Sequence, residues 1–517
     1  MRLYKVASGG RRSALWPVPR GDLVAPQQLF LAGEWVSGVE PLASLNPSTG
    51  EELGRVSTAT REQVSKAVEL ARAAQKPWGA AGVHERAAVI RRAAQKLYEL
   101  AGEFGTETPL KQLMANEVGK PLSECDIEAI ESADMLMYFA EEGKTALDGN
   151  IRTPSRQVFP DKLVLEVLEP LGVVGLIKPW NYPLELPVWA LGAALLAGNA
   201  VVLKPSEHSP LVGLELAKLF EHAGLPAGVL SVLPGTGQVG EWLIDSGVDM
   251  ISFTGSVATG REIARRCASQ GTRCSLELGG NDAMIVTAKA NLELAANGAV
   301  WGAFTNAGQV CVSVERVFVE SSVYDEFLSR VTALCSGLRV GAAADYATDV
   351  GPLISMSQRD KVAGQVAAAI HAGATLLATA NEPSDGFFFA PRVLTDISLD
   401  TALMQVETFG PVMPVVRVED PLEAVSLANS TTFGLGASVW TTDLREAHML
   451  SGMLDCGLVW INDVNVAFPQ ASWGGRRASG HGRELSLDAM TLYSAKKTIC
   501  VGYEAGNRRD WWYPYGG

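Results

Sequence analysis

The sequence predicts an α/β protein in which a parallel sheet is covered by helices on both faces and a second α/β unit follows. Three observations carry this reading. Short apolar strands alternate with longer amphipathic runs over 173–278, a second alternating region spans about 292–463, and a length of 517 residues suits two or three cores rather than one. In the first region strands are expected over 173–177, 200–203, 229–233, 250–253 and 275–278, with helices over 184–196, 211–222, 239–244 and 261–268 between them. Sheets of this kind bind ligands at the carboxyl ends of their strands, so the loops after those strands are where chemistry is expected.

Upstream, Val64, Val68 and Ala71, then Ala88, Ile90, Ala93 and Leu97, recur at helical spacing and place helices in the first unit. In the later region, strands are expected over 316–319, 375–377 and 457–461.

Composition removes several function classes. Hydrophobic residues at 47% against 19% charged, with 52 glycines in no fixed period, describe a folded globular chain rather than a disordered or collagen-like one. The balance of 43 Lys+Arg against 57 Asp+Glu gives −14, which leaves no broad basic surface for nucleic acid or an anionic bilayer. Cys125, Cys267, Cys274, Cys311, Cys335, Cys456 and Cys500 form an odd set without a C-x-x-C pair, as expected of reduced thiols in a cytoplasmic setting. Neither the cysteines nor the histidines have metal-ligand spacing, so no metal is expected. No run reaches the ~18 apolar residues of a membrane span. The first 21 residues carry five basic residues and no acid before Asp22, which reads as a flexible arm, with an organellar presequence as the alternative.

Candidate chemistry lies in the turns. Phe253-Thr254-Gly255-Ser256 ends a strand and opens a helix whose N–H groups and Ser256 hydroxyl could face a pyrophosphate. Gly235-Thr236-Gly237 has a similar setting, although the G-x-G-x-x-G spacing is absent. Lys204-Pro205-Ser206-Glu207 puts a lysine and an acid at a strand end, within reach of ribose hydroxyls, or else forms a solvated turn with Ser206 as a helix cap. Cys311 follows the small, turn-rich run Asn306-Ala307-Gly308-Gln309-Val310. Glu277 ends an apolar strand before Leu278-Gly279-Gly280, and Asn181 is held between two prolines in Pro179-Trp180-Asn181-Tyr182-Pro183. Singly, these residues read equally well as a buried thiol, a turn carboxylate and a turn amide.

In order and spacing these segments resemble the aldehyde dehydrogenase superfamily over about residues 29–501. Phe30-Leu31-Ala32-Gly33-Glu34-Trp35 and Asn46-Pro47-Ser48-Thr49-Gly50-Glu51 look like that family's start. The Asn181, Lys204, Ser256, Glu277 and Cys311 segments then follow in family order, with Glu407-Thr408-Phe409-Gly410-Pro411 and Ser479-Gly480-His481-Gly482-Arg483-Glu484 after them. The resemblance implies a Rossmann-like cofactor domain over 25–150 and 170–281, and a catalytic domain over 282–482. It also implies an oligomerisation sheet from 151–169 and 483–517, after an arm over 1–24.

Residue by residue, the resemblance makes Cys311 the nucleophile, Asn181 an oxyanion donor and Glu277 the base that activates water against a thioester. It places Trp180, Lys204, Glu207, Gly237, Gly255, Ser256, Leu278, Glu407 and Phe409 around NAD, and Tyr182 and Trp473 along the substrate tunnel. A carboxylate at Glu207 favours NAD, with NADP possible because Lys204 could offset its repulsion of a 2′-phosphate. Relatives that pass the acyl group to coenzyme A usually lack the glutamate, and retained non-catalytic scaffolds commonly lose the nucleophile; both residues are present here. The usual lysine before the Leu-Gly pair of the helix after the Asn181 turn is replaced by Ala190. Homodimers or homotetramers are implied, and the tail Trp511-Trp512-Tyr513-Pro514-Tyr515 reads as packing on the body or a neighbour. The aldehyde itself stays open, since neither a basic cluster nor an aromatic cage is evident along the chain.

Overall fold

The order of the central strands determines where a crevice opens. The computed structural model describes residues 26–155, 157, 159, 161–503, 512 and 513; the expected arm, and Trp511, Pro514 and Tyr515 of the tail, lie outside them. Strand Val173–Ile177 is flanked on one side by Ala200–Lys204 and then Leu230–Val232, and on the other by Met250–Gly255 and then Arg273–Leu278, all parallel. The chain thus winds outward, returns to its first strand and winds outward the other way. Connections leave Val173–Ile177 and Met250–Gly255 in opposite directions, so a crevice forms between their carboxyl ends.

The edges of this sheet are antiparallel, which corrects a purely parallel reading. Leu29–Leu31 pairs with both Leu230–Val232 and Glu34–Val36, and Gly480–His481 pairs with Arg273–Leu278. The first pairing follows from a two-residue turn, because Ala32 and Gly33 both take positive φ and only antiparallel strands can be joined so tightly. The second brings residues 480 and 481, expected with the second unit, into the first sheet.

Burial explains the sequence pattern. Every residue of Ala200–Lys204 and of helix Glu185–Leu196 is buried, so neither segment alternates. Helix Arg61–Ala80 begins with a reciprocal capping box between Thr60 and Gln63, and buries Val64, Ala67, Val68 and Ala71. In helix Val83–Ala101, Ala87 takes the core position and Ala88 is only half-buried, one place off the expected face. The cap of helix Pro210–His222 falls at Ser209, not Ser206, whose hydroxyl instead accepts from the His208 N–H.

The chain crosses to a second sheet over three residues, Gly279 to Asn281. Asp282–Val286 lies there between Val314–Glu320 and Gly436–Trp440, and this sheet has its own apolar core. A third sheet pairs Ser494–Gly502 with Lys162–Pro170 over nine positions, and Asn150–Arg152 adds a third strand too short to show in the sequence pattern. The last strand begins at Ser494, since Thr491 and Leu492 belong to helix Asp488–Leu492. Trp512 and Tyr513 are exposed. Among the described residues no helix is long and apolar enough to cross a membrane.

A buried carboxylate ties the layers together. Glu117, fully buried, accepts from the Ser44 hydroxyl and from the Leu211 and Val212 N–H groups that open helix Pro210–His222. Replacing it by alanine strands three donors and is expected to cost about 2–4 kcal/mol. Denaturant unfolding of Glu117→Ala measures this, and an unchanged midpoint would contradict it.

Candidate active site

Three neighbouring strands align Glu277, the expected base. Thr254 and Glu277 are register partners on Met250–Gly255 and Arg273–Leu278, and Phe253 is paired with Ile177, so Lys178 falls next to Thr254 in the same row. Laterally paired residues of a parallel sheet point to the same face, which puts Lys178, Thr254 and Glu277 side by side at the crevice. Glu277 is buried, not the surface turn carboxylate it could have been, and neither of its oxygens has a hydrogen-bond partner among the described residues. Burial pushes its carboxyl well above the usual range and the neighbouring Glu484 adds to that, while Lys178 and Arg483 oppose it.

Cys311 sits on a loop held in an uncommon conformation. Asn306, Ala307 and Gly308 have φ of 49°, 54° and 71°, all left-handed. A Cβ at Gly308 would lie 2.3 Å from the Gly410 carbonyl oxygen, so only glycine fits. Side chains hold the turn: the Asn306 N–H donates to Glu124, its amide donates to the carbonyls of Asn181 and Gln309, and the Gln309 amide donates back to Asn306. The Asn181 amide donates to the Gln309 carbonyl at 3.0 Å, which fixes it beside the thiol loop. Burial pushes the Cys311 thiol above its ordinary range, and Glu277, Asp282 and Glu407 add to the shift. Deprotonation there calls for a base. Cys311, Glu277 and Asn181 line one cavity of about 190 Å³, together with Gly255, Ser256, Leu278, Glu407, Phe409 and Trp473.

The wall carrying Glu407 and Phe409 rests on Glu315, which the sequence did not single out. Glu315 accepts from the N–H groups of Thr408 and Phe409 and from the Asn281 amide, and Phe409 is thereby held at φ 54°. The Gln358 amide donates to the Thr408 and Phe409 carbonyls, and the Lys361 ammonium to the Glu407 carbonyl. The Glu407 carboxylate lies over Gly279, where a Cβ would come within 2.3 Å of it, and accepts from the Gly280 N–H. Burial pushes its carboxyl up to about 8.

The other expected cofactor residues lie outside this cavity wall, along the strand ends. Trp180 meets Phe409 edge-on at 5.6 Å and His208 at 6.4 Å, so an aromatic line runs from the thiol cavity towards the turn after Ala200–Lys204. There Lys204 and Glu207 form a 2.9 Å ion pair. Burial pushes the Glu207 carboxyl up, yet the Lys204 ammonium more than offsets this and leaves it below its usual value. Gly237 opens helix Gly237–Ile244, and a Cβ at Gly240 in that helix would approach Lys204. Ser256 caps helix Val257–Gln270, accepting from the Thr259 N–H, and remains exposed.

A second cavity, of about 90 Å³, also reaches Cys311. Its wall combines carboxyls, Glu124, Glu128, Glu131 and Glu185, with Tyr182, Trp189, Trp301 and Trp473. Trp473 is shared by both cavities and packs on Trp189 at 5.5 Å. Behind the wall, the Lys120 ammonium pairs with Glu128 and lies 3.5 Å over the Tyr182 ring. These acids were invisible in the sequence because helix spacing shows only that Glu124, Glu128 and Glu131 share a face, not that this face meets Glu185 and the rings.

If Glu315 holds the Glu407–Phe409 wall, Glu315→Gln should cost about 2–3 kcal/mol, because an amide NH2 would then oppose a backbone donor. Hydrogen exchange at the Thr408 and Phe409 amides should quicken in that variant. Protection equal to the parent protein's would show that the loop is held by other means.

Comparison with known proteins agrees with this arrangement. Residues 35–499 match the model of the aldehyde dehydrogenase family. A betaine aldehyde dehydrogenase of Rhizobium leguminosarum bv. trifolii is 37% identical over 482 residues, covering 92% of this chain and 96% of its own. One of Bacillus subtilis is 36% identical over 486 residues, covering 92% and 97%. Among solved structures, an aldehyde dehydrogenase mutant of Bacillus cereus superposes with a TM-score of 0.89 at 34% identity, covering 93% of this chain and 98% of that one. The betaine aldehyde dehydrogenase of Staphylococcus aureus in complex with NAD+ does so with 0.89 at 33%, covering 94% and 97%. With a thiol, a buried carboxyl and an amide donor around one cavity, and with the family match spanning residues 35–499, the chain belongs to the aldehyde dehydrogenase family.

Proposed function

We propose that this chain oxidises an aldehyde bearing a positive charge to its carboxylic acid with NAD+, through a thioester on Cys311 that Glu277-activated water hydrolyses. The observation that carries it is the placement of Cys311 between two cavities, one walled by Glu407, Phe409 and the Ser256 helix end, the other by carboxyls and aromatic rings.

Chemically, the Cys311 thiolate attacks the aldehyde carbon and gives a tetrahedral thiohemiacetal, whose oxyanion accepts from the Asn181 amide and the Cys311 N–H. Bound nicotinamide would take up the hydride this adduct releases. The residues present fit such a group. Ser256 and Gly255 offer an exposed helix start for phosphate, and Glu407 and Phe409, which line the same cavity as Cys311, would hold the nicotinamide ribose and ring. The Lys204–Glu207 pair offers a donor and an acceptor to the adenosine ribose. Glu277 then takes a proton from water as its oxygen bonds to the thioester carbon, and the Cys311 thiolate leaves. The separation into a cofactor unit up to residue 281, a catalytic unit and the third sheet as subunit contact belongs to the same reading; a nine-position antiparallel ladder standing off the two cores supports it.

Preference for a cation rests on the carboxyl-and-ring wall. Burial pushes Glu124 and Glu131 up to about 7, and Glu185 further, with like-charged neighbours adding to it. A cation entering among them stabilises their ionised forms, and the rings offer their negative faces. The names of the curated relatives, betaine aldehyde dehydrogenases, point the same way.

The test is NADH formation over a panel of aldehydes. A cationic aldehyde should exceed a neutral one of equal length by about tenfold or more in kcat/KM. Its KM should fall as pH rises through about 7, because Glu124 and Glu131 gain charge upward through that range. Cys311→Ala should be inactive, and Asn181→Ala should lose about 10²–10³-fold in kcat. No NADH from any aldehyde would refute the reaction, and a neutral aldehyde used equally well would refute the cation preference.

A further inference from the structure

Lys178 has no place in the chemistry so far, yet it is fully buried beside the base. Its ammonium donates to the Thr254 hydroxyl at 3.0 Å and to Glu484 Oε1 at 2.8 Å, and its side chain is 0% exposed. Glu484 comes from the segment following strand Gly480–His481, which the antiparallel pairing lays alongside Arg273–Leu278. Its Oε1 also accepts from the Ser252 hydroxyl at 3.0 Å and the Tyr493 hydroxyl at 3.5 Å. Its Oε2, like both oxygens of Glu277, is buried without a hydrogen-bond partner among the described residues, and both carboxyls line the Cys311 cavity.

We propose, resting on the reading of Glu277 as base, that Lys178 is a positioning residue which, by fixing Glu484 and neutralising its charge, sets the proton affinity of Glu277. Two carboxylates around one dry cavity repel each other, and Glu277 holds its proton more tightly for the charge of Glu484. A single ammonium locked to Glu484 removes most of that repulsion and leaves Glu277 as the group that exchanges a proton within the working range. The other groups facing Glu277 cannot substitute. Arg483 also opposes the shift of Glu277 but donates to the Gly475 and Gly482 carbonyls and makes no ion pair with Glu484, Thr254 and Tyr493 are neutral, and Cys311 and Glu407 bring negative charge when ionised. The arrangement also gives meaning to Ala190. The ammonium that the family resemblance led one to expect from the helix is delivered here from the end of strand Val173–Ile177, at the crevice itself.

The experiment uses the full chain and follows Glu277 in two ways. One is the pH dependence of steady-state NADH formation over about pH 5.5 to 9.5; the other is the Glu277 carboxyl band in difference infrared spectra, assigned with Glu277→Gln. Lys178→Met should move the acidic limb and the carboxyl titration upward by about one pH unit or more, which is about tenfold lower activity below the limb. Glu484→Gln should move both downward, the double variant should return them close to the parent, and Lys178→Arg should hold them near it. Thermal unfolding identifies any variant that fails to fold, and the opposite sign of Glu484→Gln then decides. A loss uniform across pH in Lys178→Met, with the infrared titration unmoved, would overturn the proposal. If the parent oxidises no aldehyde, the functional reading falls, while the infrared titration still decides the role of Lys178.

Discussion

The structure depends on a carboxyl group held out of water. As the proposed base, Glu277 depends on burial in the crevice, which raises its affinity for a proton, and the groups around it bury it without bonding it. The parallel register supplies the row in which it stands, the turn after it crosses from one sheet to the other, and strand Gly480–His481 closes the edge beside it. Glu315 offers the contrast: that side chain is equally buried but devotes its oxygens to three donors and acts as a strut.

The same economy governs the thiol. Cys311 is surrounded by acids and low in solvent, which keeps it protonated at rest. Its loop is nevertheless held in three successive left-handed residues by side-chain amides, so the sulfur is placed before any substrate arrives. Rigid geometry and suppressed reactivity together suit the proposed nucleophile, which should act only when its substrate is in place.

Much of this was legible in the sequence. The first five central strands and the helices between them showed through hydrophobic pattern because both faces of the sheet are covered, and Cys311, Glu277 and Asn181 showed through their ordered motifs. The antiparallel edges were not legible, since pairing of Gly480–His481 with Arg273–Leu278 joins residues about two hundred apart and leaves no local trace. For the same reason Glu484 was seen only as part of a motif, and Lys178 only as the residue before Pro179. Of the acids of the second cavity, Glu124, Glu128 and Glu131 share one face of helix Leu122–Glu141, but Glu185 and the rings that complete the wall come from elsewhere in the chain. Long-range assembly, rather than any weakness of the local signal, is what hid them.

The central claim is that Cys311 carries the acyl group and Glu277 releases it. Intact-mass and peptide mass spectrometry of Glu277→Gln, mixed with NAD+ and an accepted aldehyde, tests both halves together. The account predicts about one equivalent of NADH per active site, then a stall with the acyl mass on the Cys311 peptide. Continued turnover at the parent rate, or an acyl mass on any other residue, would contradict it.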